Sequence, residues 1–240
     1  MRQSTFITVV LVAAFIVSFI IYWFFLPEFV QKGGPLVVAL MVLTIMLATF
    51  IIERVLTLNR AKGRGSMIQF AVNVVERVRQ RDIDGALSLC DDQRGSCANI
   101  LRAGLERFRQ VDRERDMAQE RKVSEIQHAF ETASALEIPL LERNLIAMST
   151  IASIATMVGL LGTTIGMIRC FQAMARTGAP DAIQLALGIS EALINTAGGL
   201  FAAIVGIVAY NFFTNKVDSF SYEIEETTHN VVQLLTGRAQ

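Results

Sequence analysis

Four stretches of this chain are almost free of charge, and polar segments separate them. Residues 6–26, 36–52 and 144–168 hold no Asp, Glu, Lys or Arg, and residues 182–215 hold only Glu191. Uncharged apolar runs of this length predict helices able to cross a bilayer. The first run admits two readings, a cleaved signal peptide or a retained membrane helix. Its length of about 20 residues and the lack of an A-x-A site after it favour the helix. Tyr22, Trp23, Phe24 and Phe25 crowd its far end, as in an interfacial aromatic belt. The segment 27–35, bracketed by Pro27 and Pro35 with Gly33-Gly34 inside, is a loop, so the first two runs form a hairpin.

Beyond the second run, Arg54, Arg60, Lys62 and Arg64 cluster. Short loops rich in Lys and Arg stay cytoplasmic, which places this end and both termini inside. Residues 63–142 are polar and show helical periodicity without β-alternation. Ser66 is the expected N-cap of a helix through Arg79, on which Ile68, Val72, Val75 and Val78 recur. Residues 81–85 read as a turn, a short helix follows from Ala86, and 91–96 read as a loop. Ile100 to Phe108 predict a third helix. The mixed charges of 111–122 read as the solvated face of a long helix starting near Arg113. Pro139 is expected to kink that helix. The third run leaves the membrane at Arg169, whose long side chain can snorkel to the outer interface. A tight turn at 175–181 leads into the fourth run, which ends near Lys216 ahead of a polar tail with an amphipathic end.

The expected architecture is an all-α integral membrane protein with four transmembrane helices. Residues 1–58 form an N-terminal transmembrane hairpin and 59–142 a cytoplasmic helical domain. Residues 143–216 form a second transmembrane hairpin and 217–240 a cytoplasmic tail. The composition agrees, with 52% hydrophobic and 18% charged residues. The 22 basic and 22 acidic residues balance, so nothing speaks for nucleic-acid binding. Cys90, Cys97 and Cys170 lack a CxxC pattern and read as free thiols, and His128 and His229 read as helix-surface residues. No nucleophile–base set, phosphate loop or metal pattern is present, so neither an enzyme nor a cofactor is expected.

The chemistry lies in the second hairpin. An acid inside an apolar run costs roughly 3 kcal/mol to insert, which makes Glu191 a functional candidate. On the third run Ser149, Ser153, Thr156 and Thr163 share one helix face. That stripe is either a packing seam, aided by Gly162 and Gly166, or a hydroxyl-lined path. Thr163 lies 14 residues before Thr177 and Glu191 lies 14 after it. With the turn centred there, the two should face each other, about 20 Å along the helices from the turn. Asn195 shares the face of Glu191, whereas Thr196 lies about 140° around from it. One carboxylate cannot relay protons across a bilayer. Either several copies form a ring, or a partner supplies another acid.

The motifs GLLGTTIGMIRCF (159–171) and GISEALINTAGGLFAAIVGIVAYNFF (188–213) resemble the ExbB/TolQ/MotA proton-channel family. LVVALMVLTIMLATFIIERVL (36–56) is similar to its first core helix, and the style is that of ExbB and TolQ subunits. The resemblance implies a homopentamer in the bacterial inner membrane. It surrounds the helices of a small ExbD-like or TolR-like partner that carries a protonatable aspartate. Proton flow would drive a TonB-like or TolA-like transducer. It also implies a channel lined by Thr163, Glu191 and Thr196. Asn195 stands where alanine is usual, and the helix at 6–26 is additional to the three-helix ExbB and TolQ plan. Three tasks stay open: energising outer-membrane uptake, maintaining the envelope, or powering gliding. A non-conducting membrane scaffold, with Glu191 only bonding between helices, is the competing reading.

Overall fold

The computed structural model describes residues 3–24, 26–31, 33–114, 117–177 and 182–237. Among them every regular element is helical: α1 (Gln3–Phe24), α2 (Glu28–Gln31), α3 (Pro35–Lys62), α4 (Met67–Arg79), α5 (Ile83–Gln93), α6 (Ser96–Arg113), α7 (Gln119–Glu142), α8 (Leu145–Thr177) and α9 (Ala182–Leu235). Three helical stretches, carried by α3, α8 and α9, are long and apolar enough to cross a membrane. The chain divides into two compact units, one of residues 1–53 and 144–212, the other of 54–143 and 213–240.

In the first unit, the close approaches of small residues fix the helix directions. Gly198 lies beside Leu40 and Gly206 beside Leu47, so α3 and α9 run parallel. Gly188 lies beside Cys170 and Gly206 also beside Ala152, so α8 runs antiparallel to both. On α1, Ala14 and Ser18 are buried four residues apart, and Phe15, Phe19 and Trp23 are exposed. Phe201, Ile204 and Val208 on α9 and Met157, Leu160 and Ile168 on α8 are exposed as well. An apolar surface of this extent belongs against lipid or another chain.

The second unit packs α4, α5, α6, α7 and the end of α9 around a conventional core. Phe70, Val74 and Val78 on α4 recur four residues apart and are buried, as are Ile100, Leu101 and Leu105 on α6. Phe130 of α7 sits directly on Gly104 of α6, where a methyl group would fall 2.1 Å from the ring. Val217, Ile224 and Val231 of α9 are buried at steps of seven. Arg54 is fully buried and donates to the Leu141 carbonyl at 2.9 Å. Asn144, which follows α7 and its C-cap Arg143, has φ 66°, a left-handed conformation that asparagine adopts readily.

Several boundaries differ from the sequence reading. The mixed-charge run 111–122 is a joint, not a continuous helix face. α6 ends at Arg113 and α7 starts at Gln119. After the buried Val111 the chain reads Asp-Arg-Glu-Arg-Asp, which offers no apolar stripe to bury. The turn at 81–85 is shorter than expected, because the Asp82 carboxylate accepts from the Gly85 N–H at 3.0 Å and starts α5 at Ile83. The loop at 91–96 shrinks to Arg94 and Gly95, both at positive φ. A side chain at Gly95 would collide with the Ala61 carbonyl. Ser66 is the N-cap of α4, but its side chain makes no capping bond. Pro139 sits in the last turn of α7, which runs on to Glu142. α9 continues unbroken past Lys216, because the buried positions of residues 213–231 keep helical spacing. The expected turn around 178–181 lies outside the described residues.

Two expected outcomes follow from this packing. Gly104→Ala pushes α6 off the Phe130 ring, and overpacking of this kind costs about 1–3 kcal/mol. Thermal unfolding of the purified protein in detergent checks it. Burial pushes both the Cys90 and Cys97 thiols up to about 12. A thiol reacts as its thiolate, so at pH 9 maleimide should leave both unmodified in the folded protein and label them once denaturant is added. Mass spectrometry of the labelled peptides decides.

Candidate proton-pathway site

Small residues form the contact between α8 and α9. Ala152, Ala155, Gly159, Gly162 and Gly166 follow one another on α8 at steps of three and four. Gly188, Ala192, Asn195, Gly199 and Gly206 meet them from α9. A methyl group on Gly162 would fall 2.3 Å from the Asn195 Cβ, and one on Gly166 would fall 2.8 Å from the Ala192 Cβ. Without side chains between them the two backbones approach closely, which is how helices associate tightly in lipid.

This seam carries one ion pair. Glu191 is 7% exposed. Arg169 Nη1 donates to both of its carboxylate oxygens, to Oε2 at 2.6 Å. The Gly33-Gly34 turn closes over the pair. Gly34 has φ 71°, and a methyl group there would lie 2.7 Å from Glu191 Oε1. Asn195, fully buried, ties the turn down: its Nδ2 donates to the Gly33 carbonyl at 2.8 Å and to the Glu191 carbonyl at 3.0 Å. Its Oδ1 is buried and has no hydrogen-bond partner among the described residues. An acid buried this way is tolerable because a cation meets it, and removing Arg169 would leave the carboxylate uncompensated.

The hydroxyls lie beside the seam. Thr196 donates to the Gly159 carbonyl across the helix pair at 3.2 Å and to Ala192 of its own helix at 3.1 Å. Thr163 is half-buried and donates to the Leu160 carbonyl at 2.7 Å. Ser153 is exposed and donates to the Ser149 carbonyl, and half-buried Thr156 donates to Ala152. Each bonded hydroxyl keeps lone pairs that can accept a proton donor. Alanines and glycines of α8, with Cys170 and Arg169 beyond them, thus meet α9, and Ser153 is exposed.

The register departs from the expected one. Residue 162 lies beside 195 and residue 166 beside 192, so Thr163 stands about one helical turn away from the level of Glu191. The acid therefore meets Arg169 in place of Thr163. It also lies level with the start of α3, not with its middle, as its contact with Gly34 shows. The cause is the fit of the small residues, which overrides symmetry about Thr177. Arg169, expected to snorkel outward, keeps a half-exposed side chain but turns its guanidinium inward. Sequence reasoning missed both this pairing and the role of the 33–34 turn. One signal was present: Arg169 and Glu191 are opposite charges within the two apolar segments of a single hairpin.

Helical throughout the described residues, with three stretches long and apolar enough to cross a bilayer and a buried ion pair between α8 and α9, the chain has the features of a multi-pass membrane protein. The model of the MotA/TolQ/ExbB proton channel family matches residues 92–226, more than half of the chain, and the chain belongs to that family. It is similar to the Tol-Pal system protein TolQ of Pseudomonas aeruginosa, 29% identical over 184 residues, which are 70% of this chain and 80% of that protein. TolQ of Haemophilus influenzae is 31% identical over 144 residues, 58% of this chain and 63% of that protein. The biopolymer transport protein ExbB of Pseudomonas putida is 36% identical over 89 residues, 37% of this chain and 27% of that protein.

The seam yields its own test. Gly162→Ala should lower the melting temperature in detergent, because the added methyl strikes Asn195, at a cost of about 1–3 kcal/mol. Exchanging sizes in Gly162→Ala with Asn195→Gly should recover part of that loss, as expected for residues in direct contact.

Proposed function

We propose that this chain is an inner-membrane proton-channel subunit of a motor driven by the proton motive force, of the ExbB–ExbD/TonB type. α1 joins α3, α8 and α9 as a fourth membrane helix, and both termini face the cytoplasm. Five copies enclose a small ExbD-like or TolR-like protein whose membrane helix bears an acid. A TonB-like or TolA-like transducer passes the work toward the outer membrane. Thr163 and Thr196 offer hydroxyls along the path, and Glu191 belongs to the same site.

The observation that carries this reading is the seam itself. It keeps one neutralised acid inside the helix pair and leaves the hydroxyl groups of α8 at its edge. The apolar surfaces of α8 and α9 beside them suit a ring of copies around a partner. A Tol-type role is a second reading, supported by the span of the TolQ similarity.

Membrane vesicles containing the chain together with its co-purifying small partner should conduct protons, followed with a pH-sensitive dye. Thr163→Val or Glu191→Ala should reduce that flux to the level of protein-free vesicles while the oligomer keeps its mass. Flux unchanged in Thr163→Val would remove the hydroxyl path, and no flux in the wild type would favour a scaffold. Loss of iron-limited growth on gene deletion points to the TonB type, and loss of detergent resistance to the Tol type.

A further inference from the structure

Glu191 is the one acid in the apolar runs, and its place in the structure is unlike that of a travelling proton's carrier. Both oxygens meet the guanidinium of Arg169, and the side chain is 9% exposed. Gly34 lies against it, where a methyl group would fall 2.7 Å from Oε1. The carboxylate faces the interior of its own helix group, while the exposed positions of α9 nearby, such as Leu193, are apolar. The Arg169 side chain is half exposed, so it is the arginine that reaches the surface of the pair.

We propose that Arg169 is a positioning residue that acts through Glu191, and that Glu191 is a fixed counter-ion and not a proton carrier. The inference rests on the proton-channel reading given above and assigns the acid its part in it. The pair locks α8 to α9 at one register, and Asn195 and Gly34 fasten the 33–34 turn to the same point. The hydroxyl groups of Thr163 and Thr196 are thereby held at fixed heights. Removing Arg169 strands the buried carboxylate, and removing either member breaks the link between the helices and loosens the lock. Removing both leaves two neutral side chains that bond to each other. A carrier would need its acid regardless of Arg169; a lock does not.

The experiment is a double-mutant cycle on proton flux in vesicles holding the chain with its co-purifying partner. Glu191→Gln and Arg169→Gln should each lower flux by about tenfold or more, since each breaks the ion pair, and Arg169→Gln also leaves the buried carboxylate without its cation. The double variant should return to within about threefold of the wild type, because no lone charge is then left beside the apolar lining. Arg169→Lys, which keeps the charge, should retain most of the flux. A double variant as inactive as Glu191→Gln, with the oligomer of normal mass, overturns the proposal and makes Glu191 a carrier. Full flux in Glu191→Gln alone overturns it as well. Should the double variant not assemble, Arg169→Lys decides: retained flux supports the lock, and lost flux from an intact oligomer overturns it. A wild type that conducts no protons refutes the channel reading instead, so the two failures are distinct.

Discussion

Close backbone approach between α8 and α9 is the constraint on which the rest of the first unit depends. Lipid tails are as apolar as leucine, so the hydrophobic effect does little to hold two membrane helices together. Dispersion contact and interhelical hydrogen bonds must do it, and both grow when side chains shrink. The alanines and glycines of the seam let Asn195 nest over Gly162 and Thr196 reach the carbonyl of Gly159. That fit allows one sliding register. The register in turn decides which charge Glu191 meets, and from that follow the covering turn and the buried asparagine.

Much of this arrangement was legible in the residues. Runs with one charge or none marked the helices α1, α3, α8 and α9, and among the described residues α3, α8 and α9 carry stretches long and apolar enough to cross a bilayer. The polar middle segment is helical as expected, but α4 buries Phe70, Val74 and Val78, while Ile68 and Val72 of the stripe read from the sequence are exposed. The sequence offers two apolar stripes at helical spacing, and the core takes the one with the phenylalanine. Boundaries were harder. The start of α5 depended on whether the Asp82 side chain turned back to the Gly85 N–H, a local choice that several turn types would also have satisfied. The joint between α6 and α7 hid in a charge-rich run whose composition suits an exposed helix and a loop alike.

The polar residues of the seam are visible in the sequence, and their pairing is not. Glu191, Asn195, Thr163 and Thr196 stand out as polar residues in apolar helices. Their mutual distances depend on a shift of one helical turn, about 5 Å, between antiparallel helices. Counting from the centre of a turn cannot fix that shift, because α8 extends two turns beyond Arg169 before the chain reverses. Interlocking shapes at Gly162 and Gly166 fix it instead. Charge would have been the better guide. Two opposite charges in one apolar hairpin each cost several kcal/mol alone, and contact removes much of both penalties at once.

That neutralisation bears on how any proton could move here. A hydroxyl accepts and donates but does not hold an excess proton stably at neutral pH, so Thr163 and Thr196 can conduct only beside a group that does. Inside the apolar runs the one carboxyl group is Glu191, and both its oxygens accept from Arg169. Under the proposed channel reading, a titrating acid comes from another chain, and this chain contributes the hydroxyls of Thr163 and Thr196. Rigidity then matters more than acidity. A ring of copies can exert force on an enclosed helix only if its own helices do not slide when the charge on that helix changes. The ion pair, the nested asparagine and the glycine turn all act against such sliding, and they meet at one point of the α8–α9 seam.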